Sequence, residues 1–421
     1  MKLNSNTVLN FLWLFFSSIA IKGIGVLRES IVAAKIGNSP EFATFNIFRS
    51  VVDFVLAFAI SVPIIESILV PKLASLYSEN KDLSFRSLWK QTVKYGYQIF
   101  IITFTILLAV TFFKSDNYKP DTDILIWVIL FSIYLSISLS NSVTYSLLKV
   151  VGDFRMYSYM SFFTAIGTLV LIYLFIDLLG LKIIVIAPVF LIIISTYIIK
   201  KILSANFIKT GVQTGNTLLN VKDFNLNKMI AVNHPIFIGF TGRLIIGLGN
   251  TAFINLYQYS FIIVSSFLLV VVSNISSIIL YRHSTDSNIS QLKVISVTFF
   301  ITLGANIVLY LFGKEIIAIL YQRGKFTAQD TIDTYNFLKI FLVPYTFFSL
   351  TQVMIQSYMK DSKNNTLFFK YLTHIIIATV CLGLIIGFFK HNYQLAVEVL
   401  LYTSSLSIFT FLIFKQKNLF I

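Results

Sequence analysis

The chain has 421 residues, of which 57% are hydrophobic and only 12% are Asp, Glu, Lys or Arg. A soluble domain carries about 25% charged residues, so this composition excludes a soluble enzyme and points to a polytopic membrane protein. The formal charge of +15 lies in short segments between apolar runs, which reads as loop bias and not as a nucleic-acid surface.

Taken in order, the apolar runs predict twelve membrane-spanning helices. They are Val8–Val32, Ser50–Val70, Tyr95–Phe113, Ile124–Leu148, Tyr157–Leu178 and Leu181–Ile199, then Met229–Gly249, Leu256–Leu280, Val294–Phe312, Phe337–Ser357, Phe368–Phe389 and Ala396–Phe414. Each is near the ~20 residues that a hydrocarbon layer of about 30 Å requires. The first run is read as a span and not as a signal peptide, because no small-residue cleavage site follows it. The polar segment 200–228 reads as a cytoplasmic linker. The expected fold is therefore all-α, with a six-helix bundle over 1–199 and a second over 229–421. The turns Tyr145–Tyr157 and Gln356–Phe368 lie six spans apart, and both set a tyrosine before a short basic turn containing Asp, as a repeated half would.

Loop charge orients the chain. Lys72–Lys94 has five basic and two acidic residues, and Lys200–Lys228 has five basic and one acidic. On the opposite side Lys114–Asp123 has two basic and three acidic residues, and Gly313–Asp333 has three of each. Both termini are thus expected in the cytoplasm, with the chain multi-pass. Segment 200–228 includes GVQTG, which lacks the Lys-Ser/Thr ending of a phosphate loop.

The informative residues are charges inside apolar runs. Arg28, Arg49 and Arg243, with Lys22 and Lys35, sit where a lipid-facing charge is costly. A guanidinium keeps its charge and grips phosphate with two parallel hydrogen bonds, so a basic cavity would suit a lipid pyrophosphate head group. Snorkelling to the interface is the competing reading. Glu29, Asp53 and Glu66 lie at similar depth and either pair with the arginines or take up protons or sodium. Gly23, Gly25 and Gly242 permit close helix approach, and Pro63 and Pro344 can kink spans, with gating as a second role. His234, beside Pro235, reads as an interface residue. The sequence offers no HExxH, no Ser-His-Asp order and no acidic pair for hydrolysis, so no catalytic or metal-ligating residue is expected. The lone cysteine, Cys381, leaves no disulfide.

Two stretches carry a family resemblance. VLRESIVAAKIGNSPEFATFNIFR, followed by a proline-ended second span, resembles the MviN/MurJ-like branch of the multidrug/oligosaccharidyl-lipid/polysaccharide (MOP) exporter superfamily. So does the second-half run with Gly324 and Phe326, the amphipathic Thr327–Asp333 and the turn Tyr358–Asp361. The resemblance implies a flippase that carries undecaprenyl-pyrophosphate-linked glycans, lipid II-like or another cell-surface polysaccharide precursor, across the inner membrane by alternating access. Arg28 matches the family's first-span cavity arginine, and Arg49 a basic position opening the second span. No cofactor is implied beyond H+, Na+ or membrane potential as coupling. The implied partners are the glycolipid, bacterial membrane lipids and enzymes of cell-envelope glycan biosynthesis, with no nucleic acid. The chain departs from the pattern at Val51–Phe58, which holds Asp53 and no arginine, and at Tyr259–Ile262. It also stops after the twelfth expected span, where peptidoglycan members commonly add two more, which opens the substrate to O-antigen, capsule or exopolysaccharide units. The alternatives are a cation-coupled multidrug or small-molecule antiporter, and a membrane-embedded glycan polymerase or glycosyltransferase.

Overall fold

The computed structural model describes residues 5–56, 65, 69, 85–113, 122–151, 153–207, 226–249, 251–266, 291–359 and 366–416. Every regular element among them is helical. The helices are α1 (Ser5–Ile36), α2 (Pro40–Val55), α3 (Phe85–Phe113), α4 (Thr122–Val151), α5 (Phe154–Leu179) and α6 (Ile183–Phe207). They continue with α7 (Leu226–Val232), α8 (His234–Gly249), α9 (Thr251–Val264), α10 (Gln291–Tyr321), α11 (Ala328–Met359), α12 (Thr366–Lys390) and α13 (Tyr393–Gln416).

Local chemistry sets the helix ends. Gly37, at φ +66°, stops α1 in the left-handed region. Ser39 then caps α2, its Oγ accepting from Phe42 N at 3.2 Å, and Pro40 takes the first helical position. Asp153 caps α5 through Met156 N at 3.0 Å. Thr327 and Asp330 bond reciprocally at the start of α11, side chain to backbone in both directions.

Seven stretches among the described residues are long and apolar enough to cross a membrane, or up to eight if the bent pair α7–α8 is one span. The longest, Phe154–Ser204, folds back on itself: a Cβ on Gly167 of α5 would lie 2.7 Å from Leu191 Cδ1 of α6. Large apolar side chains on these helices stand exposed, among them Phe300, Leu311, Phe388 and Phe389. Such surface is stable only against lipid. The chain is an all-α polytopic membrane protein. Of the twelve expected spans, most of the second and the latter part of the eighth lie outside the described residues, as do Pro63 and Glu66.

The chain forms two compact units. One comprises residues 1–25 and 51–225, the other 26–50 and 226–421. The expected division counted 26–50 with the first bundle; contacts group this hairpin of α1 and α2 with the second-half helices instead. In the first unit α4 packs against α3 and α6, and α5 against α6. Asn141 on α4 accepts from Ser195 and Thr196 on α6 at 3.4 and 3.5 Å.

In the second unit α11 packs against α9, α10 and α13, while α8 packs against α9 and α13. Edge-to-face rings of Tyr257, Phe341, Tyr345 and Phe348 fill its core. Helices α7 and α8 meet at 82°. His234 sits at this break and is fully buried in the packing: its Nδ1 lies 2.8 Å from Ala231 O and its Nε2 2.8 Å from Thr351 Oγ1 of α11. The backbone groups freed by a break need such partners in lipid, and the imidazole supplies them. Pro344 lies inside α11 without interrupting it.

Candidate functional site

The site is built on the 26–50 hairpin and its seat in the second unit. Four asparagine and aspartate side chains link in series. Asn46 Nδ2 donates to Asn255 Oδ1 at 2.9 Å, Asn255 Nδ2 to Asn38 Oδ1 at 3.0 Å, and Asn38 Nδ2 to Asp330 Oδ1 at 3.3 Å. This line runs from α2 through α9 and the α1–α2 turn to the start of α11. Polar side chains paired in this way join helices where water cannot compete.

A second clasp holds the end of α1. Arg323 Nη2 donates to Ser30 Oγ at 3.0 Å and to Leu320 O at 2.8 Å. Lys325 N donates to Ala34 O at 2.9 Å. Gly324, at φ +59°, allows the approach, because a Cβ there would collide with the Ala34 carbonyl.

Charges gather on this scaffold. Glu29 Oε1 accepts from Arg28 Nη2 at 2.7 Å and from Arg49 Nη2 at 3.1 Å. The Glu29 side chain is 1% exposed, that of Arg49 15% and that of Arg28 28%. Ser50, the residue after Arg49, joins this group to Arg243 of α8, whose Nη1 donates to Ser50 Oγ at 3.0 Å. Arg243 is 3% exposed and its guanidinium carbon lies 5.8 Å from the Phe261 ring centre. Two guanidiniums therefore share the Glu29 carboxylate, and the third, Arg243, is held by the Ser50 hydroxyl. Arg28 Nε and Glu29 Oε2 are buried and have no hydrogen-bond partner among the described residues. A guanidinium has five N–H donors, so Arg28 retains capacity for an anion on its open side.

Other residues singled out from the sequence lie elsewhere. Lys22 and Lys35 are exposed. Lys22 and the half-buried Asp53 belong to the first unit. Among the described residues nothing lies within 4 Å of where a Cβ on Gly23 or Gly25 would stand, whereas Gly242 accommodates the Tyr257 hydroxyl. Sequence reasoning passed over Ser30, Asn46, Ser50 and Arg323; a polar residue in every turn of Asn38–Ser50 was the available signal. Among the described residues no three His, Cys, Asp or Glu side chains gather to hold a metal.

No family model and no curated protein matches the chain. Solved structures do match. A lipid II flippase MurJ in an inward closed conformation is 18% identical, covering 97% of this chain and 87% of its own, with a TM-score of 0.65. An inward-facing multidrug resistance MATE transporter of the MOP superfamily is 14% identical over 96% of this chain and 98% of its own, also with a TM-score of 0.65. A third, a MOP superfamily transporter from Pyrococcus furiosus whose binding pocket is described as having reverse polarity, is 16% identical over 98% and 96%, with a TM-score of 0.63. The chain thus has the fold of the MOP exporters. The flippase and the multidrug transporter resemble it equally in fold.

Proposed function

We propose that the chain is an alternating-access membrane carrier for an amphiphile with an anionic head group. The class favoured is undecaprenyl-pyrophosphate-linked glycan, lipid II-like or another cell-surface precursor. On this reading twelve spans form two six-helix bundles in a bacterial inner membrane, with both termini cytoplasmic and H+, Na+ or membrane potential as the coupling. The observation that carries it is the positive excess around Glu29, with Arg28 half-open beside it. A pyrophosphate offers the geometry a guanidinium binds best. Arg28, Arg49 and Arg243 would hold it.

A second reading has its own support. The fold is shared with multidrug MATE transporters, in several conformations, which favours a cation-coupled small-molecule antiporter. Fold alone leans that way; the sign of the buried charge leans towards the anionic substrate.

Reconstituted vesicles separate the two. Labelled undecaprenyl-pyrophosphate glycan is expected to cross with wild-type protein and to slow about tenfold or more with Arg28→Ala, since one charge-assisted bond is worth roughly 1.5–3 kcal/mol. Equal transport by both proteins would remove Arg28 from the mechanism. Ion-driven efflux of organic cations without glycolipid movement would establish the second reading.

A further inference from the structure

A cleft of about 450 Å³ opens between α9, α11 and α13, within the second unit, and none of Arg28, Arg49 and Arg243 lines it. Its walls carry Asp333 and Lys339 of α11 and Glu398 of α13, over an apolar floor of Phe253, Phe337 and Ile340. Neither carboxylate is in a salt bridge among the described residues. Asp333 Oδ1 accepts from Gln329 Nε2 at 3.1 Å, and Glu398 Oε1 from Gln394 Nε2 at 3.5 Å, so each meets a neutral amide of its own helix. The exposed Lys339 ammonium stands 5.0 Å from the Tyr335 ring centre.

The level of the cleft is informative. After Lys339, α11 carries no further charge to its end, and after Glu398 α13 carries none until Lys415. Helices α11 and α13 run side by side, and the Phe347 and Phe409 rings meet 5.0 Å apart further along. The three charges therefore mark the last charged level of both helices before a long uncharged run, the depth at which lipid head groups lie. A ligand fitting this set needs a primary ammonium for the two carboxylates, an anionic group for Lys339 and apolar chains for the floor.

We propose that this cleft docks the head group of a phosphoethanolamine lipid, with its ammonium between Asp333 and Glu398 and its phosphate at Lys339. The ammonium donates three N–H bonds; a trimethylated choline head has none to give, and a phosphoglycerol head has no cation. The inference needs only that the chain is embedded in a bilayer, and it stands whichever substrate is carried.

The test is thermal unfolding of the purified full chain in nanodiscs of phosphatidylethanolamine mixed with phosphatidylglycerol, against the same discs with phosphatidylcholine in place of phosphatidylethanolamine. Wild type should unfold several degrees higher in the ethanolamine discs. Asp333→Asn with Glu398→Gln should abolish that difference, and Lys339→Ala, at an exposed position, should at least halve it. All variants are also compared with wild type in the choline discs, so that a folding defect shows as a lowered baseline. Equal wild-type Tm in the two lipids, a higher Tm in choline, or an undiminished difference in Lys339→Ala would overturn the proposal.

Discussion

Glu29 is the residue on which the arginine cluster balances. Its carboxylate is 1% exposed and receives two guanidiniums, so replacing it with a neutral amide leaves both without that counter-charge. Removing one partner of a buried pair costs about 3–5 kcal/mol. Arg28 is more open than Arg49, which lets water compensate part of the loss. Glu29→Gln is therefore expected to destabilise the protein by about 2 kcal/mol, lowering its midpoint in detergent unfolding. An unchanged midpoint would mean that the carboxylate is not the counter-ion. In the sequence, Arg28, Glu29 and Arg49 stand out because charges in apolar runs are expensive. Their shared contact is not legible there. It depends on the turn at Gly37–Ser39 setting α2 back along α1, and on which helices of the second half receive that hairpin. The Arg243–Ser50 bond spans 193 positions, and nothing local to either residue announces it.

At the scale of elements, long apolar runs with caps were readable. The swing of hairpin 26–50 to the second-half helices was not, because periodicity says which face of a helix is apolar and not which neighbour it meets. The segment Tyr321–Thr327 does that work. Its Gly324 combines a left-handed backbone with van der Waals contact on the Ala34 carbonyl. Gly324→Ala is expected to cost about 1–2 kcal/mol for the left-handed conformation alone, and more as the Lys325–Ala34 hydrogen bond is pushed apart. Hydrogen exchange should then rise at the end of α1 around Ala33–Ile36, while α12 stays protected. Unaltered exchange at the end of α1 would show that the clasp is not what holds it. The break between α7 and α8 carries the same lesson. Pro235 signals it in the sequence, but the His234 bridge to Thr351 is a tertiary contact that no local pattern announces.

At the scale of the whole molecule, the exposed aromatic and aliphatic surface, the fold shared with MOP exporters and the charged hairpin belong to one account. Lipid accepts the apolar perimeter, so packing inside each unit is free to use polar contacts that lipid would refuse. Each unit is bound together by such contacts: Asn141 with Ser195 in one, the asparagine series in the other. Composition alone conveyed the membrane setting, since 57% hydrophobic residues with 12% charged leave no other solvent for the chain. The proposed sign of the substrate rests on the pairing of Glu29 with Arg28 beside it and with Arg49 twenty positions on. Binding of a short-chain polyprenyl pyrophosphate, compared with the matching uncharged polyprenol, tests that sign most directly. The account predicts that wild type binds the pyrophosphate at least about tenfold more tightly than the alcohol, and that Arg28→Ala with Arg49→Ala erases the preference. Equal affinity for both ligands in wild type, or a preference that survives the double substitution, would contradict it.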